Sequence, residues 1–372
     1  MKSYIYADNA ATTKLDIKAF EAMKTYMLEE YGNASQPYSF SRAAKAALRQ
    51  ARIDIAQCIN AEPEEIYFTS GGTESDNWAI KGMLGVDKNR AIATSNIEHH
   101  AILNACHAVE REGNKVIYLP SNNRGIITSG SFLRVVNDVK MASVMMVNNE
   151  IGTVQPIAEL ARIAREKKVY FHTDAVQAVG HIVIDVKELG VDMLSASAHK
   201  FNGPKGIGFL YVRRGTPIIP FNDGGAQEMG MRAGTENIAA IVGMSVALQE
   251  NVSKLTENEK YIRRLESIIL DGLKNSNIDF VRNGEDHVPG NLSLSFAGCD
   301  GEAILHRLDL MGIAVSTGSA CDSKNVQVSH VLKAINLPEN YALGTIRVSL
   351  SKYNTEEEAE RIVEAIIKIV NI

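Results

Sequence analysis

Short apolar runs alternate with amphipathic stretches through the first two thirds of the chain. "EEIYFTS" precedes "ESDNWAIKGML", "AIATS" precedes "AILNACHAVERE", and "KVIYLP" and "ASVMMVN" lead into "IAELARIAREKK". "VYFHTDA", "VDMLSAS" and "GIGFLYV" complete the series. Strands apolar on both faces, separated by helices with one apolar stripe, predict an α/β fold with a mostly parallel central sheet covered by helices. Ligands in such sheets collect outside the carboxyl ends of the strands. Polar residues sit at those ends here: Thr69-Ser70, Asn148-Asn149, Asp174 and Ser197. A long helical pattern over 237–275, broken near Thr256, leads to a different arrangement in which "NLSLSFA", "IAVSTGS" and "TIRVSLS" are interspersed with helices. The expected organisation is a large domain over 13–255 and a smaller α+β domain over 256–372, with residues 1–12 packing on the smaller one.

Composition narrows the partners. The chain has 372 residues, 45% hydrophobic and 22% charged, with a net charge of -5. An acidic balance argues against binding nucleic acid on a broad basic surface. No apolar run approaches the roughly 20 residues that a bilayer requires, so no membrane partner is expected. The opening "MKSYIYADNAATTKLD" has no apolar signal core, and the four cysteines form neither a C-x-x-C pair nor a disulfide framework. A cytoplasmic setting with reduced thiols is the expectation. His100, Cys106 and His107 lack a further ligand, and no resident metal is expected.

Three segments carry candidate chemistry. In "SASAHKFNGPKG" the cation Lys200 stands beside His199 at a glycine-rich turn, a setting that suits a lysine bonding at one fixed point. In "TSGGTESDN" two glycines precede Thr73 at a predicted helix start, where free backbone N–H groups favour an anion; the ordinary alternative is Thr73 capping its own helix. In "HTDAVQAVG" Asp174 ends a strand, and a buried carboxylate there needs a cation or several donors. If the three face one pocket, they meet the needs of pyridoxal phosphate: a lysine for its aldehyde, an anion cradle for its phosphate and an acid for its ring nitrogen.

Those segments, with "YADNAATT", "FTSGGTESDNWAIKG", "EHHAIL", "VNNEIGTVQPI", "GMRAGTEN", "STGSAC" and "IRVSLS" in this order, give the chain a resemblance to the class V aminotransferase group of pyridoxal-phosphate enzymes. Within that group it resembles the cysteine desulfurases, nearly end to end. The resemblance implies the fold-type I architecture of pyridoxal-phosphate transferases. It implies that Lys200 carries the cofactor and later moves the substrate's proton, that Asp174 pairs with the ring nitrogen, that Gln177 bonds the phenolic oxygen and that His99 stacks on the ring and serves as acid or base. Gly72, Thr73, Ser197 and His199 would hold the phosphate, and Thr235 would reach the phosphate of a neighbouring subunit in a homodimer. Asn149, beside the cofactor, and Arg347 would hold the substrate carboxylate, a task suited to arginine's planar fork. On its strand pattern alone, Arg347 would be an ordinary solvent-facing residue.

The stretch "GIAVSTGSACDSKN" sets the chain apart from plain aminotransferases. Cys58 and Cys106 lie in helical patterns that suit buried filler, and Cys299 lies in a turn. Cys321 follows a run with little apolar anchoring, and the resemblance makes it the nucleophile that takes sulfur from L-cysteine, leaving a persulfide and L-alanine. Its long loop resembles that of desulfurases supplying iron–sulfur assembly and tRNA thiolation, with an iron–sulfur scaffold or a sulfur carrier as acceptor. Transient ligation of a cluster by Cys321 is the only metal contact implied. The alternatives are a selenocysteine lyase and a non-catalytic sulfur-relay protein that keeps the fold. Two departures stand out: Met229 where the family carries arginine, and Ser351 where it carries glycine.

Overall fold

The computed structural model describes residues 4–87, 89–317 and 328–371. Its strands are β1 Ile5–Tyr6, β2 Ile66–Thr69, β3 Ala91–Ser95, β4 Val116–Leu119, β5 Val139–Ser143, β6 Tyr170–Asp174, β7 Met193–Ser197, β8 Gly208–Val212, β9 Phe280–Arg282, β10 Asn291–Phe296, β11 Ile313–Ala314 and β12 Thr345–Ser349. Seven of them form one sheet in the order β2-β8-β7-β6-β5-β3-β4. β3 to β7 run parallel, and β8 is antiparallel to both of its neighbours. Every residue of β3, β5, β7 and β8 is buried, as expected for strands covered on both faces. The architecture is the fold-type I arrangement. The expected strand through "ASVMMVN" is shorter than its apolar run: β5 ends at Ser143, and the rest is a buried loop whose Val144 and Met146 N–H groups bond to His172 and Asp174 carbonyls.

The smaller sheet, β12-β10-β9, is antiparallel, and β1 pairs in parallel with β11. Two main cores result. One covers a face of the seven-stranded sheet, whose other face packs a separate cluster around Trp78, Ile92, Met141 and Leu210, and takes in Val331 and Leu332 of the helix His330–Ala334 and Ile335 just after it. The other gathers Ile5, Ala7, Leu294, Phe296, Ile346 and Ile366 around the smaller sheet. The long helical pattern resolves into helices Ile238–Ser253 and Leu255–Lys274, broken at Lys254 rather than at Thr256. Just before the break, Asn251 turns its amide toward the Phe201 carbonyl, which ties this junction to the turn after Lys200.

One segment crosses both cores. Ile5 and Ala7 belong to the smaller one, and the chain then runs past the end of β7. There Thr13 donates to the His199 carbonyl through both N–H and hydroxyl, and Asp16 donates from its backbone to the Asn202 carbonyl.

The approach of β8 to the turn after β2 leaves no room for a side chain. A Cβ on Gly208 would lie 2.7 Å from Gly71 Cα and press on the Ala196 carbonyl. Gly208→Ala is therefore expected to destabilise the protein by about 1–3 kcal/mol, the usual cost of overpacking. Denaturant unfolding checks this; an unchanged midpoint would mean that the turn has slack.

Candidate active site

β7 ends at Ser197, and a single tight turn, Ala198–Lys200, presents the lysine at the carboxyl edge of the sheet. Lys200 Nζ donates to the carbonyls of Ala10 (2.5 Å) and Ala11 (2.9 Å). Gln177 Nε2 also donates to Ala10, at 2.8 Å, so both side chains meet at one carbonyl of the crossing segment. Burial lowers the pKa of His181 and keeps its ring neutral, and its Nε2 lies 2.8 Å from the Lys200 carbonyl, which it serves as a donor. The turn is thus held from two sides.

Asp174 closes β6 and is only 4% exposed. The Val176 N–H donates to its Oδ1 at 2.9 Å. Burial pushes its pKa up, and His99, the Val176 N–H and Lys200 oppose that rise. His99 caps the helix His100–Arg111, its Nδ1 accepting from the Ala101 N–H at 3.1 Å. Burial lowers its pKa, helped by Lys200 and His100 and opposed by Asp174. A neutral ring with Nδ1 occupied as acceptor carries its proton on Nε2.

The helix after β2 begins one residue earlier than the sequence suggests. Gly71 is the cap, at φ +146, and Gly72 opens the helix Gly72–Gly82, so Thr73 caps nothing. The reason is steric: a Cβ on Gly72 would lie 2.6 Å from Val176 Cγ2, and the turn needs two residues without side chains. No side chain caps this helix, and its first N–H groups open beside Ser197, whose Oγ would be 3.4 Å from a Cβ on Gly71. His199 Nδ1 lies 3.1 Å from Thr12 Oγ1, and burial, Lys200 and Lys205 push its pKa down to about 4. Glycine backbone, Ser197 and neutral His199 together make an anion cradle.

Arg347 is not the solvent-facing residue its strand pattern suggests. It is 5% exposed, with Nη2 on Asp8 Oδ1 at 2.7 Å and Nη1 on the Asn149 carbonyl at 3.0 Å. Its Nε is buried without a hydrogen-bond partner. Asn149 therefore meets Arg347 through its backbone. Thr235 is exposed, on a segment that Arg232 ties to Glu74 at 2.8 and 3.2 Å, in the first turn of the Gly72–Gly82 helix. Met229 is also exposed, at φ +58, beside the buried Glu228, which pairs with Arg52 at 2.6 and 2.8 Å. Met229, Lys45, Arg49 and Arg52 line one surface concavity, so an arginine at position 229 would have added a further cation there.

Cys321 lies outside the described residues. Burial pushes the other thiols up, Cys58 to about 11 and Cys106 to about 12, which keeps them protonated, and it also raises Cys299. Among the described residues no group of His, Cys, Asp or Glu could hold a metal ion, and no helix is long and apolar enough to cross a membrane.

Sequence reasoning missed several residues that shape this site. Asp8, in the quoted "YADNAATT", holds Arg347. Glu98 is fully buried; its Oε1 accepts from the Met145 N–H at 2.9 Å and the Ser95 hydroxyl at 2.5 Å, and its carbonyl faces His330 Nε2 at 3.0 Å. Asp76 and His172 lie buried behind Asp174. The available signal was an ionisable residue inside an otherwise apolar pattern: the histidine of "YFHTD" and the aspartate before "NWAI".

The aminotransferase class-V family model matches residues 5–362. A cysteine desulfurase IscS of Dictyoglomus turgidum is 45% identical over 375 residues, spanning 100% of this chain and 95% of that protein. A human cysteine desulfurase is 41% identical, over 98% of this chain and 81% of its own length. Among solved structures, a NifS-like protein superposes with a TM-score of 0.92 at 37% identity, covering 99% of this chain and all of that one. A structure of SspA in complex with cysteine gives 0.83 at 35% identity, over 94% of this chain and all of that one.

Glu98 makes a testable prediction about stability. Burial, opposed by the Ser95 and Met145 donors, raises its pKa from 4.5 to about 8. The native protein then keeps a proton that the unfolded chain gives up above its ordinary pKa. This contribution is fully present below about 4.5 and is lost as pH rises to about 8. Glu98→Gln is expected to flatten the fall of the urea midpoint across that window, and an unaltered slope would show the carboxyl already ionised.

Proposed function

From the premise that the chain belongs to the aminotransferase class-V family, we propose that it is a pyridoxal-phosphate-dependent cysteine desulfurase. Lys200 and Gln177 meet at the Ala10 carbonyl, next to a buried Asp174 and an uncapped glycine helix start, and this convergence carries the reading. The residues fit pyridoxal phosphate: a primary amine, a buried acid, and an anion cradle whose glycines leave no room for Cβ atoms. Lys200 would bind it, Gly72, Thr73, Ser197 and His199 would hold its phosphate, Gln177 its phenolic oxygen, and Asp174 would keep a proton on its ring nitrogen. When bound, the cofactor supplies an electron sink that makes the substrate's α-proton removable.

The protein's own groups do the rest. Lys200 Nζ, held near Ala10 and Ala11, is the amine that takes the α-proton. His99, with its proton on Nε2, is the acid at the substrate sulfur, and His99 also covers the ring. Arg347 receives the substrate carboxylate beside Asn149, exchanging its single bond to Asp8 for a bidentate partner. Cys321 takes the sulfur: its thiolate forms a bond to the sulfur of cysteine, the carbon–sulfur bond breaks, and the carbon gains a proton. Thiol plus cysteine gives persulfide plus alanine, so atoms and electrons balance without an outside oxidant. Thr235 reaches a neighbouring copy's phosphate, which makes the working form a homodimer. The persulfide then passes to an iron–sulfur scaffold or a sulfur carrier in the cytoplasm.

Two variants separate the steps. Lys200→Ala is expected to keep the fold, lose the yellow chromophore that borohydride bleaches, and make no alanine. Cys321→Ser should keep the chromophore and lose the protein-bound persulfide, measured by mass spectrometry after incubation with cysteine. Full alanine turnover in the lysine variant would overturn the assignment.

A further inference from the structure

Behind Asp174 lies a second set of buried ionisable groups that the proposed chemistry does not use. His172 is two residues earlier on β6, on the same face as Asp174, and is fully buried. Its Nδ1 lies 2.9 Å from Ser143 Oγ and its Nε2 2.9 Å from Ser195 Oγ, on the strands to either side. Ser195 is also the register partner of Asp174. From the other layer, the helix Gly72–Gly82 places Asp76 Oδ1 3.8 Å from His172 Nε2, and this oxygen is buried without a hydrogen-bond partner. Asp76 is 1% exposed.

Asp76 also shares a side-chain hydrogen bond with Ser195, and two proton arrangements satisfy the ring and the serines, one with Asp76 neutral and one with it ionised. Charge decides between them. The titratable groups that face Asp76 are His172 and Asp174 on β6 and Glu98 at the head of the neighbouring helix. None is a cation at neutral pH: burial pushes His172 down to about 3, and the other two are carboxyls. The cation of the site, Lys200, acts on Asp174 instead. Neighbouring buried carboxylates cannot all ionise without a shared counter-ion, and the one with the cation keeps the charge.

We propose that Asp76 is a positioning residue that stays protonated and, through Ser195 and His172, confines the negative charge of this buried carboxyl cluster to Asp174. It donates its proton toward Ser195, the Ser195 hydroxyl donates to His172 Nε2, and the His172 Nδ1–H donates to Ser143. Asp174 is then the ionised member of the Asp76, Glu98 and Asp174 cluster. This inference rests on the cofactor assignment above for its meaning, though its first readout does not.

That readout is infrared difference spectroscopy of the purified full-length protein at neutral pH. Wild type minus Asp76→Asn is expected to show a protonated carboxylic carbonyl band, and a carboxylate band in its place would overturn the proposal. Asp76→Asn, neutral and of the same shape, should leave the pH midpoint of the bound chromophore's absorbance unchanged. A midpoint lowered by a full pH unit, a tenfold change, would mean that an anion had been removed. Asp174→Asn, which takes away the repelling charge, should let Asp76 lose its proton at a lower pH than in wild type; no change would also count against the proposal. Should Asp76→Asn fail to fold, the Asp174→Asn titration decides the matter alone. Loss of chromophore binding in the wild type would refute the functional reading and leave the infrared result standing.

Discussion

On the proposed reading, the site depends on keeping one carboxylate ionised inside an apolar sheet. Asp174 has one backbone donor, a lysine and a neutral histidine nearby, and Asp76 and Glu98 buried in the same region. An unpaired buried charge costs several kcal/mol. The surroundings must therefore supply stabilisation at this carboxylate and withhold it from the other two. The strand order achieves this. With β6 and β7 adjacent and parallel, Asp174 stands opposite Ser195, and the chain turns after Ser197 to bring Lys200 to the same edge. A shift of one residue between β6 and β7 would send either the acid or the lysine turn out of register.

The crossing segment 5–16 makes the lysine turn and the smaller core interdependent. It gives Ala10 and Ala11 carbonyls to Lys200, Thr13 to His199, and Asp8 to Arg347. Its beginning is packed among Ile346 and Phe296 and paired with β11. Movement of the smaller sheet relative to the larger would pull on Lys200 and Arg347 together. The Arg347 Nε that lacks a partner fits a side chain poised between Asp8 and an incoming carboxylate.

Periodicity made the layered fold legible, because strands buried on both faces leave long apolar runs. It could not show that β8 runs antiparallel: "GIGFLYV" reads the same in either direction, and only the short connection after Lys200 sends it back. It also lengthened β5, since the buried loop after Ser143 is as apolar as a strand. At the site, the lysine, the aspartate and the glycine turn could be read from local chemistry. Thr73 as a cap was misleading because the deciding contact, Val176 against Gly72, is far away in sequence. Arg347 misled for a similar reason. An alternating strand does not reveal that its polar face is buried under another segment. Asp76, Glu98 and His172 went unread because their roles come from one another's proximity across layers.

The chain on either side of 318–327 is tied to Arg347 on one side and to Glu150 and Glu98 on the other. Before it, Ser316 exchanges backbone hydrogen bonds with Arg347, at 3.1 and 2.6 Å. After it, the Ser329 hydroxyl donates to Glu150 at 2.5 Å, and His330 meets the Glu98 carbonyl next to His99. Four peptide units separate Thr317 from Cys321, which limits their separation to about 14 Å however the chain runs. The segment that carries Cys321 in the sequence thus follows a backbone partner of Arg347 and precedes a histidine bonded to Glu98, the residue before His99.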